Sequence, residues 1–204
     1  MAAARPANLT AVDALTRLKE GNRRFTENQA SHPRGDGSRR QELVSGQQPF
    51  TIVLGCADSR VAPELVFDEG LGDLFVIRVA GNIADDAVLG SIEYAVANLG
   101  VNLVVVLGHQ SCGAVNAAVE NVDVQGPATN THIDSLIDAI RPAVLAAREK
   151  GGDALLQQSI HQNARDVAGA IAGSEPVLQG LATEGVKVVP AYYSLEDGSV
   201  SFLD

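Results

Sequence analysis

The chain has 204 residues, 46% of them hydrophobic and 20% charged, with two cysteines and a formal charge of −10 at pH 7. That length and apolar share suit one domain with a substantial core, and the acidic balance opposes a phosphate backbone, which argues against a nucleic-acid partner. No apolar run approaches the ~20 residues that span a bilayer, and the opening MAAARPANLTAVDALTRLKEGNRRF has no signal-type apolar core, so no membrane role and a cytoplasmic setting are expected.

From Thr10 to Asn28, Val12, Leu15, Leu18 and Phe25 recur at helical spacing, with Thr10 placed to cap the start and Asp13 three residues on. SHPRGDGSRR, Ser31 to Arg40, is polar and Gly-containing and predicts an exposed loop with solvated charges. PFTIVLG (Pro49 to Gly55), LFVIRVAG (Leu74 to Gly81) and NLVVVLG (Asn102 to Gly108) are short β-branched runs of the kind buried on both faces of a parallel sheet. Between the second and third runs, Val88, Ile92, Ala95, Val96 and Leu99 make a helical stripe ending at Gly100, which completes a βαβ unit.

Beyond the third strand, Gly113 to Val119 predicts a helix, followed by the loop NVDVQGPATN and helices over Ile133 to Lys150, Ala154 to Ala172 and Glu175 to Glu184. VKVVPAYYSL and SVSFL, separated by the Asp-Gly-containing LEDGS, predict a terminal hairpin. The expected fold is a three-layer α/β domain: a mostly parallel sheet of four strands, with a fifth available at the edge, flanked by helices.

Two cysteines in a reducing compartment seldom form a lasting disulfide, which leaves core residues, reactive thiols or metal ligands. Cys56 directly follows the first core strand, and His109 and Cys112 follow the third, at the carboxyl ends where such sheets bind ligands. Thiolates and imidazole suit zinc, and three protein ligands leave a fourth position for water or substrate, as in a catalytic site. Taken singly, each residue could equally be packing or a cap; an His-x-x-Cys pair opposite a Cys on another strand is far more specific. Asp58 and Arg60, in CADSR, lie on the turn leaving the first strand. The carboxylate could orient a zinc-bound water or become a fourth ligand, and a forked pair with Arg60 would choose between these. His32, His132 and His161 receive no role.

GCADSRV (Gly55 to Val61), LFVIRVAGN, SIEYAV and LGHQSCGAV (Leu107 to Val115) resemble the motifs of the β-class carbonic anhydrases, with the likeness running from about Gln47 to Val119. The resemblance implies one zinc per subunit on Cys56, His109 and Cys112, an Asp58–Arg60 dyad, and a homodimer or tetramer in which the N-terminal arm, residues 1–30, packs on a partner subunit. It implies substrate-binding roles for Gln47 (across the dimer), Phe75, Ala80, which replaces a commoner Val, Tyr94 and Gly113. Part of the family has a second bicarbonate pocket that uses a Trp three residues before the first Cys. Val53 stands there, although Arg78 and Tyr193 match the pocket's other members, and Arg78 has a structural ion pair as its alternative role.

The implied reaction is reversible hydration of carbon dioxide to bicarbonate. A bound zinc lowers the pKa of its water from 15.7 toward about 7 and supplies the nucleophile that neutral water lacks. A phosphate-binding loop at GHQSCG is disfavoured, because Ala114 and Val115 occupy the places of the Lys and Ser or Thr such a loop needs. A non-enzymatic zinc-binding or thiol-redox module would leave Asp58 and Arg60 without purpose, whereas a related heterocumulene such as carbon disulfide would need the same zinc.

Overall fold

The computed structural model describes residues 7–174 and 178–204. Thr10 caps α1 (Ala11–Thr26): its hydroxyl accepts the Asp13 amide and donates to the Asp13 carboxylate. Ala11, Ala14 and Leu18 on the inner face of α1 are buried. A short helix, α2 (Gly37–Glu42), precedes β1 (Thr51–Gly55), α3 (Pro63–Val66) and β2 (Leu74–Arg78). Asp85 caps α4 (Asp86–Leu99), which stops at Gly100 in the left-handed conformation, φ 74°. β3 (Leu103–His109), α5 (Gly113–Glu120), α6 (Ile133–Lys150), α7 (Leu155–Ala172) and α8 (Leu178–Leu181) follow, and β4 (Lys187–Tyr193) and β5 (Val200–Phe202) form the terminal hairpin.

The sheet order is β2-β1-β3-β4-β5, with every pairing parallel except β4 with β5. The expected mostly parallel α/β sheet is therefore present, and its fifth strand closes the edge. β1 and β3 are buried along their whole length. Their side chains alternate between two cores: Ile52, Leu54, Val104 and Val106 pack with α4 and α7, whereas Val53, Leu103, Val105 and Leu107 pack with α1 and α3. From β1 the chain crosses to β2 on one side and returns to β3 on the other. The carboxyl ends of β1 and β3 thus form the switch point of the sheet, where α/β folds open a crevice.

Three local expectations change. The run predicted to extend to Gly81 ends as a strand at Arg78, because Ala80–Asn82 forms a 3₁₀ turn with Gly81 at φ 73°. The segment from Ser31 to Arg40 is largely exposed, as expected, but its charges are not all merely solvated. It enters α2 at Gly37, Arg34 binds the carboxylates of Glu69 and Asp73, and Arg39 donates to the Leu71 carbonyl. Glu69 and Asp73 are buried acids distant in sequence, so the loop's arginines meet partners that local composition does not reveal. The helix expected from Glu175 begins outside the described residues; within them α8 runs on into a 3₁₀ turn over Ala182–Glu184.

Candidate metal centre

Cys56 leaves the end of β1, His109 is the last residue of β3, and Cys112 stands immediately before α5, at the switch point. All three are buried, and one ligand atom from each lies within 4.8 Å of the others. The two sulfurs are 4.0 Å apart. Ligands 2.3 Å from a tetrahedral zinc lie about 3.8 Å from one another, so the spacing needs little adjustment. His109 supplies the most telling detail: its Nδ1 faces the Gln110 carbonyl at 2.9 Å, whereas Nε2 is buried and has no hydrogen-bond partner. A carbonyl on Nδ1 fixes that nitrogen as the donor and leaves a lone pair on Nε2 directed at the thiols, the usual arrangement of a ligating histidine. An orphaned imidazole nitrogen beside two thiols fits a zinc ion.

The electrostatics agree with that chemistry. The hydrogen bond from Cys112 draws the Cys56 thiol down to about 4, with help from His109 and the Gly81 amide and against the effect of burial. The same contact and burial push Cys112 up, against the Ala114 and Val115 amides at the start of α5. Burial would lower His109, yet its contacts with Cys56 raise it. A divalent cation would hold both sulfurs as thiolates.

Asp58 and Arg60 lie on the turn after β1. Arg60 forks onto the carboxylate, Nε to Oδ1 at 2.9 Å and Nη2 to Oδ2 at 2.6 Å, and its backbone amide donates to Oδ1. This fork, opposed by burial, holds the Asp58 carboxyl well below the usual carboxylate range. Oδ2 remains 3.8 Å from His109 Nε2, so the paired carboxylate borders the ligand cluster. Arg78 comes from the end of β2 and donates to the carbonyls of Cys56, at 3.0 Å, and Asp58, at 2.6 Å. Its partners are backbone oxygens where an ion pair was the expected alternative, because the turn after β1 exposes carbonyls at that point. Arg78 thereby fixes the backbone that carries both a ligand and the dyad. Sequence reasoning also missed the Gly81 amide, which donates to Cys56 Sγ at 3.3 Å.

The other predicted positions are more dispersed. Phe75 and Ala80 are half-buried, Phe75 against the α4 side of the core. Gly113 opens α5 and is exposed, with space for a side chain. Gln47 is exposed beside Arg39, Leu43 and Leu99, around a depression of about 420 Å³. Tyr94 is 50% exposed, since it lies on the face of α4 opposite Ile92. Val53 and Tyr193 are buried in the core on the α1 side.

Residues 51–200 match the family model described as carbonic anhydrase. The chain belongs to the carbonic anhydrase family. It is 42% identical over 200 residues to carbonic anhydrase 2 of Mycobacterium tuberculosis, covering 97% of this chain and 95% of that protein. It is 42% identical over 193 residues to the carbonic anhydrase of Mycolicibacterium smegmatis, covering 95% and 93%. The solved β-carbonic anhydrase CcaA superimposes with a TM-score of 0.72 at 28% identity, over 93% of this chain and 95% of that one. These likenesses bear out the β-class resemblance, and the chain is an enzyme of the carbonic anhydrase family. Among the described residues, no helix is long and apolar enough to cross a membrane.

Proposed function

We propose that this chain catalyses the reversible hydration of carbon dioxide to bicarbonate and a proton, with one zinc per subunit held by Cys56, His109 and Cys112. The observation that carries this reading is the buried, unpartnered His109 Nε2 facing two thiols at ligand spacing, beside a carboxylate locked by an arginine. Zinc bound there would supply the acidification that makes water a nucleophile at neutral pH.

The chain's own residues do the rest. Asp58 stays ionised in its fork with Arg60 and accepts a hydrogen bond from the reacting water, orienting an oxygen lone pair toward the carbon atom. Arg60 keeps both carboxylate oxygens engaged, which disfavours Asp58 as a fourth ligand in this arrangement. The family resemblance is what supports Phe75, Ala80 and Tyr94 as the apolar wall for a linear, uncharged substrate, and the Gly113 amide, with Gln47 of a neighbouring subunit, as the groups that meet the developing negative oxygen. The reading includes a cytoplasmic homo-oligomer, a dimer at least, with Val12, 61% exposed on α1, on its contact face.

Stopped-flow hydration assays on zinc-replete protein test the reading. Fast turnover that disappears in Cys112→Ser is expected, whereas an inactive protein with stoichiometric zinc overturns it.

A further inference from the structure

The buried stripe of α7 is apolar at Ile160, Ala164, Val167, Ala168 and Ile171, yet Asn163 lies within it at 2% exposure. A primary amide at such a position is costly unless it satisfies a specific partner. Its Nδ2 donates to the Gly81 carbonyl at 2.9 Å, joining residues 82 apart in sequence. Gly81 in turn directs its own N–H at Cys56 Sγ, 3.3 Å away. No side chain fits at this position: a Cβ there would stand 2.6 Å from Ile140 Cδ1 and 3.2 Å from Ala114 Cβ, and the φ of 73° is one that side chains rarely adopt. Gly81 thus packs closely against α5 and α6, and the Asn163 hydrogen bond ties it to α7.

We infer that Asn163 is a positioning residue of the metal centre: by anchoring Gly81 it keeps the Gly81 N–H on the Cys56 sulfur and so limits the charge that this ligand gives to the metal. A hydrogen bond to a ligating sulfur withdraws electron density from it, which leaves the metal a stronger acid. The inference rests on the metal reading above.

The test uses protein loaded with cobalt(II), whose thiolate-to-metal absorption reports the sulfur's electron density, together with zinc affinity measured against a chelator. Asn163→Leu keeps the shape and removes the donor, Asn163→Ser shortens the side chain beyond reach of Gly81, and Val167→Ala perturbs the same helix without touching that link. Both Asn163 variants should move the absorption to longer wavelength and weaken zinc binding about 10- to 100-fold, while Val167→Ala leaves both unchanged. Should Asn163→Leu fail to fold, Asn163→Ser decides. A band unmoved in the Asn163 variants, or moved equally in Val167→Ala, overturns the positioning role. A parent protein without thiolate-to-cobalt absorption instead overturns the metal reading, and this inference with it.

Discussion

Arg60 grips the Asp58 carboxylate with three donors, Nε and the backbone amide on Oδ1 and Nη2 on Oδ2. Lysine cannot reproduce that fork, since its ammonium is a single compact charge. Arg60→Lys should reduce kcat about 10- to 100-fold, the range typical of residues that orient a metal site's inner groups. The Arg60 side chain is 52% exposed, so thermal melting should scarcely change. Steady-state hydration kinetics and a melt on the same sample check both halves.

Removing a ligand should empty the site. Cys56→Ser and His109→Ala should each lose zinc on dialysis and lose hydration activity together, because ligand loss removes a first-sphere bond in a three-ligand set. Zinc content per subunit by elemental analysis, set beside activity, checks this; a variant that keeps full zinc and full turnover contradicts the assignment.

Asp68 makes an acid-stability prediction. Burial would raise its carboxyl, but the Arg24 guanidinium and the amides of Ser31 and His32 overcome that and hold it at about 2. Because the folded-state value lies below the ordinary 3.8, the stabilisation is fully present above about pH 4 and is lost as pH falls through about 2. Asp68→Asn should therefore be less stable than the parent at neutral pH and lose less further stability between about pH 4 and 2. Urea melts across that range measure the difference.

Glu69 is buried between Arg17 and Arg34. Arg17→Met keeps the aliphatic length but leaves the carboxylate with fewer donors, and should lower stability by about 1–3 kcal/mol. A denaturant midpoint shift at constant slope would show it.

The sheet was readable because β1 and β3 are buried on both faces, and a strand buried on both faces must be a continuous apolar run. Those runs end at Cys56 and His109, which placed the three ligands at the carboxyl ends of two core strands; that β1 and β3 are neighbours is shown by the sheet order. Arg34 was misread because its partners, Glu69 and Asp73, are 35 and 39 residues away, and a basic loop looks the same whether solvated or paired with buried acids. Tyr94 stands outside the core because a helical segment between two core strands still has an outer face. Asn163 and Gly81 left only a faint signal, an amide within an apolar helical stripe and a glycine after Ala80, and three-dimensional packing was needed to connect them with Cys56.

The most direct measurement is a zinc titration of metal-stripped protein, with carbon dioxide hydration followed by stopped flow. The expected result is activity that rises in proportion to zinc, levels at one equivalent per subunit and is absent from Cys112→Ser under the same titration. Activity that ignores zinc, or that Cys112→Ser retains in full, would contradict hydration at the Cys56–His109–Cys112 centre.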